Sequence, residues 1–402
     1  MASGSYDVDH VVSSQALMEE NTTTQSQQIF IFTATLTPAP SPPPPTLPFD
    51  LVSEILCRLP VKLLSQLRYL CKSINCLISD PKFAKKHLRL SIKRHHLIGS
   101  STNDSRELLL FDSPIPSDFS TFKIMLTQLN HPITRDIYPK LPLRLSSCDG
   151  ILCFTMDHSS VVLWNPSIRK FKLLPPLKNP LKVPIWSSFS LGYDPFIDNY
   201  KVVAISFFMD GCNEVNVHTF GTDSWRRIQD FPFPHLVCAH GVFVSGTVNW
   251  LAHSISSSRA IVSLDLEKES FQKLFHPNLE KCSWSLGVVR DCLCIFAHSK
   301  KFLDVWIMKE YGNKESWAKL CSVPLKEEWV LPLYNNNKAL TSFEDDQLLM
   351  KFYDSHNMLK LIDFYFKKGI FKISDIQDFN CDTNYWMDGK IYIESLISPY
   401  AM

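Results

Sequence analysis

Between residues 149 and 393 a polar turn followed by a short apolar strand recurs six times, and this period constrains the fold more than any other feature of the chain. The turns are Asp149-Gly150, Asp198-Asn199, Ser245-Gly246, Arg290-Asp291, Asp345-Asp346 and Asp388-Gly389. The strands after them are Ile151–Phe154, Lys201–Ile205, Thr247–Leu251, Cys292–Phe296, Leu348–Phe352 and Lys390–Ile393, and successive turns lie 49, 47, 45, 55 and 43 residues apart. A second signal fills each gap: an alternating strand, a polar turn and then an aromatic. Those aromatics are Phe171, Trp225, Phe271, Trp317 and Phe371, spaced 54, 46, 46 and 54. A period of two is a sheet signature, and a unit of about 45–50 residues with four strands is one blade of a β-propeller.

There are six first hairpins and only five second hairpins before the chain reaches Met402. The stretch ahead of the first repeat supplies candidates for the missing strands at Glu107–Phe111 and Phe119–Leu126. The expected fold is therefore a six-bladed β-propeller closed by its own N-terminal strands, which pairs both free edges. A large β-sandwich is the alternative. It is favoured by a glycine count of only 12 in 402 residues and by the lack of any Gly-Gly or Trp-Asp doublet.

Several stretches carry a family resemblance. Cys148-Asp149-Gly150-Ile151-Leu152-Cys153, Leu163-Trp164-Asn165-Pro166-Ser167, Gly192-Tyr193-Asp194-Pro195, Tyr200-Lys201-Val202-Val203, Gly246-Thr247-Val248-Asn249-Trp250-Leu251 and Leu264-Asp265-Leu266 are similar to the plant F-box-associated domain. That resemblance implies a β-propeller-like module that binds a target protein.

Upstream, Leu47 to Phe83 reads as a run of short amphipathic helices. Leu51, Val52, Ile55, Leu56 and Leu59 recur at helical spacing. Pro48 suits a first helical turn, and Pro60 ends the helix. Leu63, Leu67 and Leu70 mark a second helix, and Ile74, Leu77 and Ile78 a third. About 40 residues cannot bury so many apolar groups alone, so some must rest on the downstream domain or on a partner. Leu47-Pro48, Arg58-Leu59-Pro60-Val61-Lys62, Cys71-Lys72-Ser73 and Ser79-Asp80-Pro81 resemble the F-box, with Ile74 where that family usually has Trp. The resemblance implies a three-helix module that docks on a Skp-type adaptor. It assigns the contact to Leu47, Pro48, Leu51, Ile55, Leu56, Leu59, Pro60 and Val61.

The expected organisation is α+β and multidomain. Residues 1–46 form a disordered Ser/Thr/Gln/Pro-rich arm, 47–90 the F-box, 91–105 a linker and 106–402 the propeller-like domain. A net charge of +1 gives no electrostatic case for nucleic acid or for an anionic membrane. No segment approaches the ~18 apolar residues of a membrane span. Twelve cysteines without a secretion signal read as reduced thiols, so a cytoplasmic or nuclear location is expected.

No residue pattern points to catalysis, a metal or a cofactor. Cys292 and Cys294 share one side of a strand without a second pair to complete a zinc site. Cys148 and Cys153 bracket a tight turn and read as buried thiols. There is no phosphate loop, His-Glu-x-x-His or nucleophile elbow. Together the two resemblances imply a plant F-box protein of the F-box/kelch-repeat, constitutive-defence and S-locus type. Such a protein is the substrate-recognition subunit of an SCF ubiquitin ligase. It is not itself an enzyme; it holds the adaptor, and through it cullin, near a target protein. The alternatives are an F-box scaffold or decoy outside a ligase, and a propeller hydrolase, for which no nucleophile is identifiable.

Antiparallel strands put the tight turns on one end of every blade and the longer connections on the other. Binding residues concentrate on such longer loops. Trp186, Phe233, His235, Arg259, Trp329, Tyr334 and His356 are the expected target contacts, because aromatic and Arg side chains anchor protein interfaces.

Overall fold

The structure is a computed structural model that describes residues 47–400, apart from 103–107, 116–122, 126, 132–143, 178–181, 237–239, 254–258, 280–282, 300, 326–338, 342–345, 354–358 and 378–385. Four helices come first: α1 (Phe49–Leu56), α2 (Val61–Leu67), α3 (Lys72–Ser79) and α4 (Pro81–Leu90). Among the described residues, twenty-six strands follow in six sheets.

Blade I contains Arg144–Cys148, Ile151–Thr155, Val161–Asn165 and Lys170–Leu173 in sequential order. Blade II contains Trp186–Asp194, Asn199–Phe207, Asn213–Thr219 and Arg226–Arg227, and blade IV contains Ser283–Val289, Cys292–His298, Phe302–Met308 and Trp317–Pro324. In blade III the first position is shared by two short strands, His235–Leu236 and Val242–Val244, ahead of Thr247–His253, Arg259–Asp265 and Ser270–Leu274. Blade V runs Ala339–Thr341, Gln347–Tyr353, Leu359–Tyr365 and Ile370–Gln377. The first strands of successive blades touch one another in a closed circuit that returns from Trp386–Ile393 to Arg144–Cys148. The molecule is thus a short helical region followed by an all-β six-bladed propeller, and the sandwich alternative is set aside.

The closing blade differs in detail from the sequence expectation. It is ordered Trp386–Ile393, His95–Thr102, Leu108–Pro114 and Thr127–Leu129. One strand from the C-terminal end is therefore completed by three from the N-terminal end. Asp388-Gly389 is not a hairpin turn: Gly389 pairs with Gly99 and Asp388 with Ser100 within the ladder, next to a register shift between Ser100 and Ser101. The strand that receives it, His95–Thr102, lies within the stretch read as a linker (91–105), so the propeller begins at His95 rather than at residue 106. Its partner is almost 300 residues away, and no hairpin signal marks it. The described residues of the expected closing strand Phe119–Leu126 do not join the closing blade, whose outer strand starts just beyond it. Lys123–Met125 adds in parallel to the outer edge of blade V, and Thr127–Leu129 takes the outer place in the closing blade.

The tight turns follow from backbone sterics. Asp149 and Gly150, Ser245 and Gly246, and Arg290 and Asp291 all have positive φ. Two positive φ values in sequence are what a two-residue hairpin turn needs to match the twist of its strands. At Gly150 a side chain is also excluded by space: an added Cβ would lie 2.3 Å from Ser395 Oγ and 2.6 Å from the Ile393 carbonyl. The recurring aromatics join blades. Trp225 Nε1 donates to the Pro175 carbonyl at 2.7 Å, and Trp317 Nε1 to the Phe275 carbonyl at 2.9 Å. Phe271 meets Phe231 edge-on at 5.5 Å.

Candidate partner-binding surfaces

The helices are fixed at their ends by the chemistry of their sequence. The Pro48 carbonyl accepts from Leu51 N and Val52 N to start α1, and Pro60 separates α1 from α2. Asp80 caps α4, its side chain accepting from Lys82 N at 2.7 Å, with Pro81 in the first helical position. Arg68 ties α2 to α3 through Asn75 at 3.0 Å and Ser79 at 2.6 Å.

α1 presents two apolar faces. Leu56, Cys57, Val61 and Leu64 are buried in one cluster with Ile78, Phe83 and Ala84 of the later helices, and with Ile151, Val161 and Leu163 of blade I. Leu59 and Ile74 are partly buried against the same cluster. Leu47, Phe49, Leu51 and Ile55 are instead 50–53% exposed, and Pro48 is exposed beside them. The eight residues expected at the adaptor contact therefore divide. Leu47, Pro48, Leu51 and Ile55 are open to a partner, and Leu56 and Val61 are not. Leu59 and Pro60 lie between these limits. Periodicity alone could not separate the two faces, because the blade that covers one of them is contributed from about 100 residues downstream. Phe49, Leu63, Tyr69 and Leu70 are exposed apolar residues of this region that the sequence reading did not place at the contact. An open groove of about 510 Å³ is lined by Phe49 of α1 and by Ser73, Cys76, Leu77 and Asp80.

The anchoring contacts of the helices fall on the propeller end that carries the tight turns, here called the lower face. α2 rests on the short helix Pro166–Ile168 of blade I. Lys85 pairs with Asp198 at 2.5 Å and donates to its carbonyl at 2.8 Å, and Lys93 lies 3.7 Å from Asp291. Leu396 and Ile397 enter the same hydrophobic cluster as α1 and α2. Asn165, the first residue of the Asn-Pro-Ser motif, is fully buried and holds that segment. Its Nδ2 donates to the carbonyls of Ser395 at 3.1 Å and Ile397 at 2.8 Å, while its Oδ1 accepts from Ser167 N at 2.9 Å. Ser395 Oγ donates to the Asp149 carbonyl at 2.6 Å.

Two histidines sit at this junction. His87 Nε2 donates to the Leu59 carbonyl at 2.8 Å, and burial holds its pKa below the usual value. Burial, with the nearby charge of Lys93, lowers the pKa of His95 to about 4.

Four of the seven expected target contacts are described, and all lie toward the upper ends of blades II and III. Trp186 stacks on Phe207 at 4.6 Å, Phe207 meets Phe231 at 6.3 Å, and Phe231 meets Phe233 at 6.4 Å. His235 pairs with His253, which pairs in turn with Arg259. Trp329, Tyr334 and His356 lie outside the described residues. Among the described residues no cluster of His, Cys, Asp or Glu could hold a metal ion. Burial raises the pKa values of Cys148, Cys153 and Cys294. Buried thiols of this kind lack the thiolate character of a nucleophile.

Comparison with known proteins agrees with this architecture. Residues 45–86 match the F-box domain, and residues 119–399 match the F-box associated beta propeller domain. An F-box/kelch-repeat protein of Arabidopsis thaliana is 32% identical over 320 residues, covering 74% of this chain and 85% of that one. The F-box protein CPR1 of the same plant is 27% identical over 393 residues, covering 88% and 89%. With its helices seated on the lower face of a closed six-bladed ring, this chain belongs to the plant F-box proteins that carry an F-box-associated β-propeller.

Proposed function

We propose that this chain is the target-binding subunit of a Skp–cullin–F-box ubiquitin ligase, joining the adaptor at α1 to a target protein at the upper face of the propeller. The observation that carries this reading is the division of α1. Leu56 is buried in a cluster that includes blade I residues, whereas Leu47, Phe49, Leu51 and Ile55 are half exposed among the described residues. Exposed apolar area is costly to leave in water, at roughly 25 cal/mol per Å², and its burial is what an adaptor would provide. The helices occupy the lower face, so the longer loops of the upper face are left for a target.

On this reading the protein does no chemistry itself. It raises the local concentration of target lysines near a ubiquitin-loaded enzyme. It works in the cytoplasm or nucleus. Co-expression of the full chain with a Skp-type adaptor and cullin tests the proposal. The wild type should recover both, and Ile55→Asp should recover neither. Recovery of adaptor without cullin would favour a scaffold or decoy outside a ligase. Recovery of neither by the wild type would overturn the reading.

A further inference from the structure

The upper end of the seam between blades III and IV holds a cation without a counter-charge. His253 and Arg259 form the last rung of the ladder between Thr247–His253 and Arg259–Asp265. The first of these strands leaves the tight turn Ser245-Gly246, so the rung lies at the opposite, upper end of the blade. Residues directly opposite in an antiparallel pair share one face of the sheet. Leu251 and Ile261, two positions along each strand, lie on that same face. Both belong to one hydrophobic cluster with Trp284, Leu286, Ile295 and Ala297 of blade IV. His253 and Arg259 therefore face blade IV.

Arg259 is partly buried, and its Nη1 is shut off from solvent with no hydrogen-bond partner. Among the described residues no carboxylate pairs with it. Its neighbours do not supply the missing acceptor. The Nδ1 of His253 is also buried and unpartnered. His276 sets its ring 4.8 Å from that of Trp284, and its two nitrogens face the carbonyls of Pro277 at 2.8 Å and Arg259 at 3.2 Å. Neither nitrogen is left to accept from a guanidinium. Asp304, opposite Ala297 in blade IV, is engaged by Lys319 at 2.9 Å and by Ser322 at 2.6 Å.

Taking a guanidinium partly out of water without an anion is unfavourable. The same burial makes it a strong acceptor of one, because water no longer screens the attraction and a charge-assisted hydrogen bond gains accordingly. Arg259 is only partly buried, so the site stays open to an incoming side chain. We propose that the upper end of this seam is an anion site for the target protein. A carboxylate or phosphorylated side chain of the target meets Arg259, with His253 beside it. The proposal rests on the reading of the upper face as the target side.

The test uses the full-length chain co-expressed with a Skp-type adaptor, and immobilised dodecapeptides in a Gly/Ser background. The central residue is Glu, phosphoserine, Gln or Lys. Retention on the Glu or phosphoserine peptide should exceed that on the Gln peptide by about tenfold, the equivalent of one charge-assisted hydrogen bond. The better of the two identifies the anion. Arg259→Gln should erase the preference, and Arg259→Lys should retain part of it. Lys268→Gln removes a cation whose side chain is 72% exposed, in a turn of the same blade at its lower end; it should leave the preference intact. Melting of the free chain gives a second readout. Arg259→Gln should not lower the melting temperature, since the cation it removes has no partner in the chain. Equal retention of the anionic and Gln peptides by the wild type would overturn the proposal, as would an unchanged preference in Arg259→Gln. Loss of the preference in Lys268→Gln would reveal a diffuse charge effect, and a clear fall in the melting temperature of Arg259→Gln a structural role; either would overturn it too. Adaptor capture is read in the same samples. Its loss would strike the ligase reading, while a peptide result strikes only the site.

Discussion

Charge at Ile55 and truncation at Leu64 should have opposite signatures, although the two residues lie only nine positions apart in one helical module. Leu64 is fully buried between α2 and blade I. Leu64→Ala should cost about 2–5 kcal/mol through lost burial and the cavity left behind. With an unfolding entropy of about 2 cal/mol/K per residue over an ordered core of this size, the melting temperature should fall by roughly 3–7 °C. Ile55 is 53% exposed. Ile55→Asp should therefore change stability by no more than about 0.5 kcal/mol. At an adaptor contact it loses about half the burial of an Ile side chain, roughly 1 kcal/mol, and strands a carboxylate whose desolvation adds at least ~2 kcal/mol. Affinity should fall more than about 100-fold. Differential scanning fluorimetry of the full chain gives the first quantity, and biolayer interferometry against a Skp-type adaptor gives the second. If Ile55→Asp lowered the melting temperature as far as Leu64→Ala, the exposed strip would be core and the division of α1 would be wrong.

Three further outcomes are expected. A chain truncated to begin at residue 106 loses the strand that pairs with Trp386–Ile393; it should scatter light and aggregate more than a chain beginning at Ser91, since both lack the helices packed on blade I, and equal behaviour of the two would count against closure by His95–Thr102. Asn165→Ala removes the Nδ2 hydrogen bonds to the Ser395 carbonyl, Ser395 Oγ and the Ile397 carbonyl, and the one from Ser167 N; it should cost about 2–3 kcal/mol by chemical denaturation, with faster amide exchange at Ile397, and an unchanged denaturation midpoint would refute the role given to Asn165. Acid should loosen the junction between helices and propeller. His95 has a folded pKa of about 4 and His87 is also lowered from the ordinary value of 6.5, so the unfolded state binds more protons across this window. Stability should be full above about pH 6.5 and fall as the pH drops toward 4, and His95→Gln should flatten part of that slope in pH-dependent melting curves.

The ring was legible because its repeats are local. Each Asp-Gly or Ser-Gly turn sits next to the strands it joins, and the period of two survives burial on one face. What was not legible depends on distant partners. His95–Thr102 contains a glycine, two serines and a threonine with no adjacent turn, and it is a strand only because Trp386–Ile393 returns to it. Asp388-Gly389 carries the composition of a turn, yet lies within a strand, beside a register shift, because a strand edge is waiting. The F-box residues were recognisable by type, but not the burial of Leu56 and Val61, which were expected at the adaptor contact. The blade I surface that buries them arises from a different part of the chain. Asn165 was noticed as part of a motif. Its role in holding Ser395 and Ile397, some 230 residues on, has no local trace.

The pairing of His95–Thr102 with Trp386–Ile393 has a consequence for biosynthesis. Translation proceeds from the N-terminus at about 5–20 residues per second, so the F-box helices and the waiting strand emerge roughly 15–60 s before the strand that completes the ring. Through that interval one edge of the nascent sheet is open, on the residues next to the adaptor-binding helices. A ribosome that stops early at any point before residue 386 releases a chain whose ring cannot close. Such a product exposes an unpaired edge, which marks it for aggregation or chaperone capture. Completion of the last strand is thus the step that closes the ring and pairs its open edge.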